Sequence, residues 1–323
     1  MPSFAELTDL ITADELRRRG SLKWTRGGPD VIKGLEAAIT VFSRPGSPVI
    51  LPTPAYMPFL TVPPRLRRQI IQVPMADGNG RYVLDLDGID AAFRQGGHLL
   101  ILCNPCNPVG RVYSRNELAA VAEVVDANGG RVFADEIHAP LIYPGGTHIP
   151  YVSVSAQAAA HAITATAASK GWNLPGLKCA QVILSNDADA AVWAEEGFMF
   201  EHGASTPGVR ATTAAYREGG AWLADVVGYL DDSRRLLADQ LARQLPAVRY
   251  QPPEGTYLAW LDCRGLGLGD SAADFFTAKA RVLLTDGAAC GEAGRGHVRL
   301  NFATPRPILA EIISRMAEAV RAG

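Results

Sequence analysis

Ala162-Ile-Thr-Ala-Thr-Ala-Ala-Ser-Lys170-Gly-Trp-Asn-Leu-Pro-Gly-Leu-Lys-Cys-Ala180 is the stretch that decides the fold. Its small and β-branched residues read as a buried strand that delivers one lysine, Lys170. Gly171, Pro175 and Gly176 then predict a turn, and Ala180 to Leu184 predicts a second strand. A lysine at the end of a buried strand is costly unless it has a task. A single lysine is more often a surface residue, so the chemical reading of Lys170 depends on what surrounds it.

Two upstream stretches repeat the pattern. His98 to Cys103 is an apolar strand that stops at Asn104-Pro-Cys-Asn-Pro-Val-Gly110. Ser114, with Glu117 three residues on, predicts a capping box for a helix reaching about Asn128, where Gly129-Gly130 end it. Arg131 to Ala134 is the next strand and runs into Asp135-Glu-Ile-His138. Strands alternating with helices predict an α/β fold with right-handed crossovers and a parallel sheet. Ligands in such sheets sit beyond the carboxyl ends of the strands. Asn107, Asp135 and Lys170 all fall at such ends.

The flanking regions are less decisive. Residues 4–19 predict a short helix with Gly20 as C-cap, and Ser21 to Arg26 an irregular arm. Gly27-Gly-Pro-Asp30 reads as an abrupt turn feeding a helix from Val31 to Phe42. A helix start of this kind can receive an anion, although many helices begin so. Pro48 to Leu51 and Ile70 to Val73 predict strands, with Pro54 to Phe59 between them as a stiff extended loop presenting Tyr56. Tyr82 to Arg94 reads as an extended segment followed by a helix. After Gly208 the pattern becomes one long or bent helix through Leu241. Extended segments follow around Tyr257 to Leu261, Val282 to Leu284 and His297 to Phe302, with helices at Ser271 to Lys279 and Pro307 to Ala322. This predicts a second, smaller α+β domain.

Composition narrows the function. The chain has 323 residues, 48% hydrophobic and 20% charged, enough for a large core or two domains. The formal net charge of −2 gives no electrostatic case for nucleic acid or anionic lipid. No apolar run approaches membrane-spanning length, and the N-terminus lacks the pattern of a secretory signal. Five cysteines, an odd and sparse number, suggest a reducing cytoplasm. Cys103 and Cys106 form a C-x-x-C with no second pair, which favours a structural role over metal or redox chemistry.

An asparagine, an aspartate and a lysine at successive strand ends suit pyridoxal 5′-phosphate. The lysine can form a Schiff base with the aldehyde, and the aspartate can keep the ring nitrogen protonated. The asparagine can donate to the ring O3′. Tyr56 can stack on the ring, and the helix starting near Asp30 can receive the phosphate on its N–H groups.

Four ordered motifs carry a resemblance at this point. Asn-Pro-Cys-Asn-Pro-Val-Gly (104–110), Ala-Asp-Glu-Ile-His-Ala-Pro-Leu (134–141), Ser-Lys-Gly-Trp-Asn-Leu-Pro-Gly-Leu-Lys (169–178) and Arg-Leu-Asn-Phe-Ala-Thr-Pro (299–305) resemble the fold-type I aminotransferases of class I/II. With Glu-Gly-Thr-Tyr-Leu-Ala-Trp-Leu-Asp (254–262), the closest likeness is to the MalY/PatB-type cystathionine β-lyases, or C–S lyases. The resemblance runs from about Pro29 to the C-terminus.

It implies the aspartate aminotransferase-like fold, a homodimer and an amino-acid substrate. It implies a large cofactor-binding domain over residues 27–233 and a small domain over 1–26 and 234–323. Lys170 would be the Schiff-base lysine and proton shuttle, with Asp135 on the pyridine nitrogen and Asn107 on O3′. His138 takes the place of a tyrosine that also reaches O3′ in many aminotransferases. Lys178 would bind phosphate, Val31 and Ile32 would offer it N–H groups, and Tyr56 would stack. Arg299 would clamp the substrate carboxylate in a fork that lysine cannot reproduce. The implied activity is β-elimination from cystathionine or cysteine, giving pyruvate, ammonia and a thiol. The alternatives are an aminotransferase using the same residues, or a cofactor-binding regulatory or catalytically impaired relative.

Two departures stand out. Ala167 sits where relatives often have a phosphate-binding hydroxyl. Relatives also carry several tens of residues between an arm like Ser21-Leu-Lys-Trp24 and the phosphate-binding helix, whereas here Arg26 runs straight into Gly27. The expectation is that this segment is omitted from the sequence rather than deleted from the protein.

Overall fold

A computed structural model describes residues 25–78, 81–269 and 271–322. The helix expected over 4–19 and most of the arm expected over 21–26 lie outside them. The described residues begin with strands β1 (Thr25–Gly28), β2 (Val49–Thr53), β3 (Ile70–Pro74) and a hairpin of β4 (Ala76–Gly78) and β5 (Arg81–Val83). Strands β6 (Leu99–Cys103), β7 (Arg131–Asp135), β8 (Ala162–Thr166) and β9 (Ala180–Leu184) follow. The C-terminal part holds β10 (Arg249–Tyr250), β11 (Leu258–Asp262), β12 (Thr285–Asp286) and β13 (His297–Asn301).

One sheet has seven strands in the order β1-β9-β8-β7-β6-β2-β3. All run parallel except β9, which is antiparallel to both its neighbours. A parallel sheet needs cover on both faces, and the side chains alternate accordingly. On β6, Leu100 and Leu102 face a core shared with Ile89, Phe93, Leu118 and Val121. Leu99, Ile101 and Cys103 face the opposite core, with Leu35, Ile39 and Phe59.

Two helices flank this sheet at the positions that matter most: α1 (Val31–Val41) and α2 (Arg115–Ala127). The α2 start carries the expected capping box, with Glu117 N on Ser114 Oγ at 3.3 Å and Ser114 N on Glu117 Oε2 at 2.8 Å. Lys170 sits in a four-residue helix, α3 (Ala168–Gly171), immediately beyond β8. It therefore lies in a helical turn just past the strand rather than at the strand end, where the sequence reading puts it.

The second sheet has four antiparallel strands, β10-β11-β13-β12, and its own core around Leu261, Val298, Leu300 and Ile313. It is reached through a long helix, α4 (Gly220–Gln244), and covered by α5 (Arg306–Ala322).

Three sequence expectations are corrected. Thr25 and Arg26 are not an irregular arm, and Gly27-Gly28 is not a turn, because these residues form β1 on the sheet edge. Backbone pairing to β9 holds them extended, which pattern alone cannot reveal. Pro54 to Phe59 is not extended throughout: a helix starts at Met57 with Tyr56 as its N-cap and Pro58 in its first turn, where a missing N–H costs nothing. The extended segment expected at Val282 to Leu284 falls two to three residues later, at β12.

Candidate active site

The three strand ends converge as the parallel sheet requires. Cys103, the last residue of β6, is level with Asp135, and Asp135 is level with Ala165 on β8. A cavity of about 280 Å³ opens above these ends. Its wall includes Lys170, Asp135, Asn107, His138 and Tyr56, and beyond them Val31, Ile32 and Lys178. Eight of the nine site residues expected from sequence therefore face one space.

Arg299, the ninth, reaches the site from the other sheet. Its Nη1 donates to Asn107 Oδ1 at 2.9 Å and its Nη2 to Thr285 Oγ1 at 3.3 Å. Lys170 also lines a second cavity of about 450 Å³, between α4 and the segment after β13, with Trp222, Tyr229, Tyr257 and Asn301.

Asp135 is 4% exposed. Its Oδ1 accepts from Ile137 N at 3.0 Å. Burial pushes its carboxyl up to about 7, against the pull of that N–H and of Lys170. Burial likewise lowers the Lys170 amine from its ordinary value; Asp135 opposes this shift and Arg299 adds to it. His138 is buried, and desolvation, helped by Lys170 and Arg299, drops its imidazole to about 3. The ring is thus neutral at physiological pH and makes a T-shaped pair with Tyr257, 5.6 Å between centroids. Its Nδ1 is buried without a hydrogen-bond partner. Burial raises the Tyr56 phenol above its usual value.

The far end of the cavity suits an anion. Val31 and Ile32 open α1, so their N–H groups have no acceptor within the helix. Lys178, in a left-handed conformation at φ 49°, places Nζ 3.3 Å from Asp30 Oδ2. Ala167 offers no hydroxyl here, but Ser169 lines the same wall.

Sequence reasoning missed Ser169, Thr285, Tyr257 and the Asp30 contact. The signal for Asp30 was present, since an aspartate directly before an apolar-periodic helix is an N-cap. Nothing in the sequence pattern pairs Thr285 with Arg299, because that neighbourhood exists only across β12 and β13. The five cysteines are buried and free of disulfides. No group of three His, Cys, Asp or Glu suited to a metal occurs among the described residues.

A fold of this topology, with a lysine, an aspartate and an asparagine at its strand ends, has a known family. Residues 27–316 match the model for aminotransferase class I and II, and the chain belongs to that family. Within it, the relatives mark the MalY/PatB-type C–S lyase branch. Cystathionine beta-lyase of Corynebacterium glutamicum is 38% identical over 322 residues, covering 99% of this chain and 85% of that protein. Protein MalY of Escherichia coli (strain K12) is 33% identical over 302 residues, covering 91% and 76%. Among solved structures, cystalysin from Treponema denticola, which contains pyridoxal 5′-phosphate, superposes with a TM-score of 0.89 at 28% identity. That match covers 100% of this chain and 83% of the other.

Proposed function

We propose that the chain is a pyridoxal 5′-phosphate-dependent carbon–sulfur β-lyase acting on cystathionine or cysteine-type amino acids. The observation that carries this is one cavity bringing Lys170, Asp135 and Asn107 together, with Arg299 bonded to Asn107. The kinship to cystathionine beta-lyase points the same way.

The residues present suit the cofactor. Asp135 is a buried acid whose ionisation is costly without a cation, and a protonated ring nitrogen would supply one. The unpaired His138 Nδ1 is a polar atom awaiting a partner. The cavity volume falls near the lower bound of about 300 Å³ for small-molecule pockets.

Pyridoxal phosphate, when bound, supplies an aldehyde for amine exchange and a ring that takes up the electron pair left at the substrate Cα. The chain's residues do the rest. Asp135 would hold the ring nitrogen's proton. Asn107, whose Oδ1 accepts from Arg299, keeps its Nδ2 as the end that can donate to O3′. The Arg299 fork fixes the α-carboxylate and so orients the Cα–H bond. Lys170, its proton affinity reduced by burial, takes the Cα proton. The pair left at Cα would then form the Cα=Cβ bond as thiolate departs with the Cβ–S pair, and water hydrolyses the released aminoacrylate to pyruvate and ammonia. Val31, Ile32 and Lys178 would hold the phosphate, and Tyr56 would stack on the ring.

We also propose a large domain over residues 27–233 and a small one over 1–26 and 234–323, except that Thr25 and Arg26 join the large sheet through β1. The two separate sheets and cores support this division. A homodimer and a cytoplasmic location belong to the same proposal; the free cysteines favour a reducing compartment. No described helix is long and apolar enough to cross a membrane.

Pyruvate release from cystathionine by the purified holoenzyme, without a keto-acid acceptor, tests the reading. Turnover only with an acceptor would make the chain an aminotransferase instead. A visible cofactor band without turnover on any thiol amino acid would mark a regulatory or impaired relative.

A further inference from the structure

Asp30 has two roles at the anion end of the cavity. Its Oδ1 accepts from Lys33 N at 3.0 Å and so caps α1. Its Oδ2 accepts from Lys178 Nζ at 3.3 Å. A helix start and a nearby cation are also what an incoming phosphate uses. Asp30, Val31, Ile32, Ser169 and Lys178 all line the cavity that holds the buried, unpaired His138 Nδ1.

A carboxylate here has a cost. It carries the same sign as the phosphate and shares its cation, with the Asp30 and Lys178 side chains 41% and 56% exposed. The two remain in contact with solvent, so the repulsion is screened but not removed.

We propose that Asp30 is a tethered stand-in for the cofactor's phosphate. In the cofactor-free chain it balances Lys178 and satisfies the start of α1. When phosphate enters, Asp30 gives up Lys178 and thereafter opposes the bound dianion. Asp30 therefore sets how tightly the phosphate, and with it the cofactor, is retained. This rests on the cofactor reading above, but its test does not need a working enzyme.

Asparagine caps a helix about as well as aspartate, so Asp30→Asn keeps the α1 start and removes only the charge. The experiment titrates the cofactor-stripped full chain by calorimetry at low ionic strength. The probes are inorganic phosphate, pyridoxal phosphate and pyridoxal. Asp30→Asn should bind both phosphate-bearing probes about tenfold more tightly, with pyridoxal unchanged. In a Lys178→Ala background the gain should shrink, because the shared cation is gone. Equal or weaker phosphate binding by Asp30→Asn overturns the proposal, as does phosphate binding by neither protein. Failure of the cofactor reading looks different. Pyridoxal phosphate would then produce no Lys170-dependent absorbance band in either protein, while the inorganic phosphate arm still reports on Asp30.

Discussion

Arg299 Nη1 donates to Asn107 Oδ1 across 2.9 Å, joining β13 of the small sheet to the loop after β6 of the large one. The bond orients both partners. It holds the guanidinium against Asn107, a residue of the cavity wall, and fixes which end of the Asn107 amide is left to donate. Four predictions follow from this arrangement and its surroundings.

Arg299→Lys keeps the charge but loses the planar fork. KM for the amino-acid substrate should rise about 100-fold, the cost of one strong charge-assisted contact and its geometry. Cofactor absorbance should be retained. Steady-state kinetics that left KM unchanged would remove Arg299 from the substrate site.

Lys170→Ala should fold and bind cofactor weakly, without a band that borohydride fixes to the chain. Turnover should fall by at least the factor of about 10²–10⁴ typical of a lost proton-transfer group. Intact mass after borohydride reduction reads the first claim directly: a pyridoxyl adduct on the variant would assign the amine elsewhere.

Asp135 gives the cofactor-free chain a pH-dependent weakness. Its carboxyl is raised from 3.8 to about 7, so the folded state holds that proton more tightly than the unfolded state does. Stability from this group is full below about pH 4 and is lost as pH rises toward 7. Asp135→Asn avoids the charging cost. Stripped of cofactor, it should match wild type near pH 4 and exceed it at pH 8 by up to about 4 kcal/mol. Urea denaturation at the two pH values measures the gap; an advantage constant with pH would contradict the burial argument.

Gly110→Ala should be strongly destabilising. Gly110 has φ 71°, and an added Cβ would lie 2.2 Å from Pro253 Cβ. Its carbonyl accepts from Glu254 N and Gly255 N, so the clash falls where the two sheets are tied. Backbone strain plus overpacking predicts a loss of about 2–4 kcal/mol. A midpoint within experimental error of wild type would mean the junction yields freely.

The strand ends were legible in the sequence because a parallel sheet buried on both faces leaves continuous apolar runs. Leu99 to Cys103 is such a run, Ala162 to Thr166 a buried run of small and β-branched residues, and each stops where the site residues begin. The helix boundary at Ser114 was legible because a capping box is local. Tyr56 lines the cavity with Lys170 although the helix it caps is not legible, since proline is as compatible with a first helical turn as with a loop. The β1 edge and the Thr285–Arg299 contact were illegible for a different reason. Both are products of pairing between segments far apart in sequence, and neither leaves a periodic trace.

Only Pro29 and Asp30 separate β1 from α1, so the edge strand and the anion cradle form one mechanical unit. A substitution that peels Thr25–Gly28 from β9 would do double damage. It would slacken the grip on the cofactor's tail, and it would bare an unpaired β9 backbone that another chain could zip onto. Loss of cofactor and the onset of aggregation in this protein should therefore arrive together.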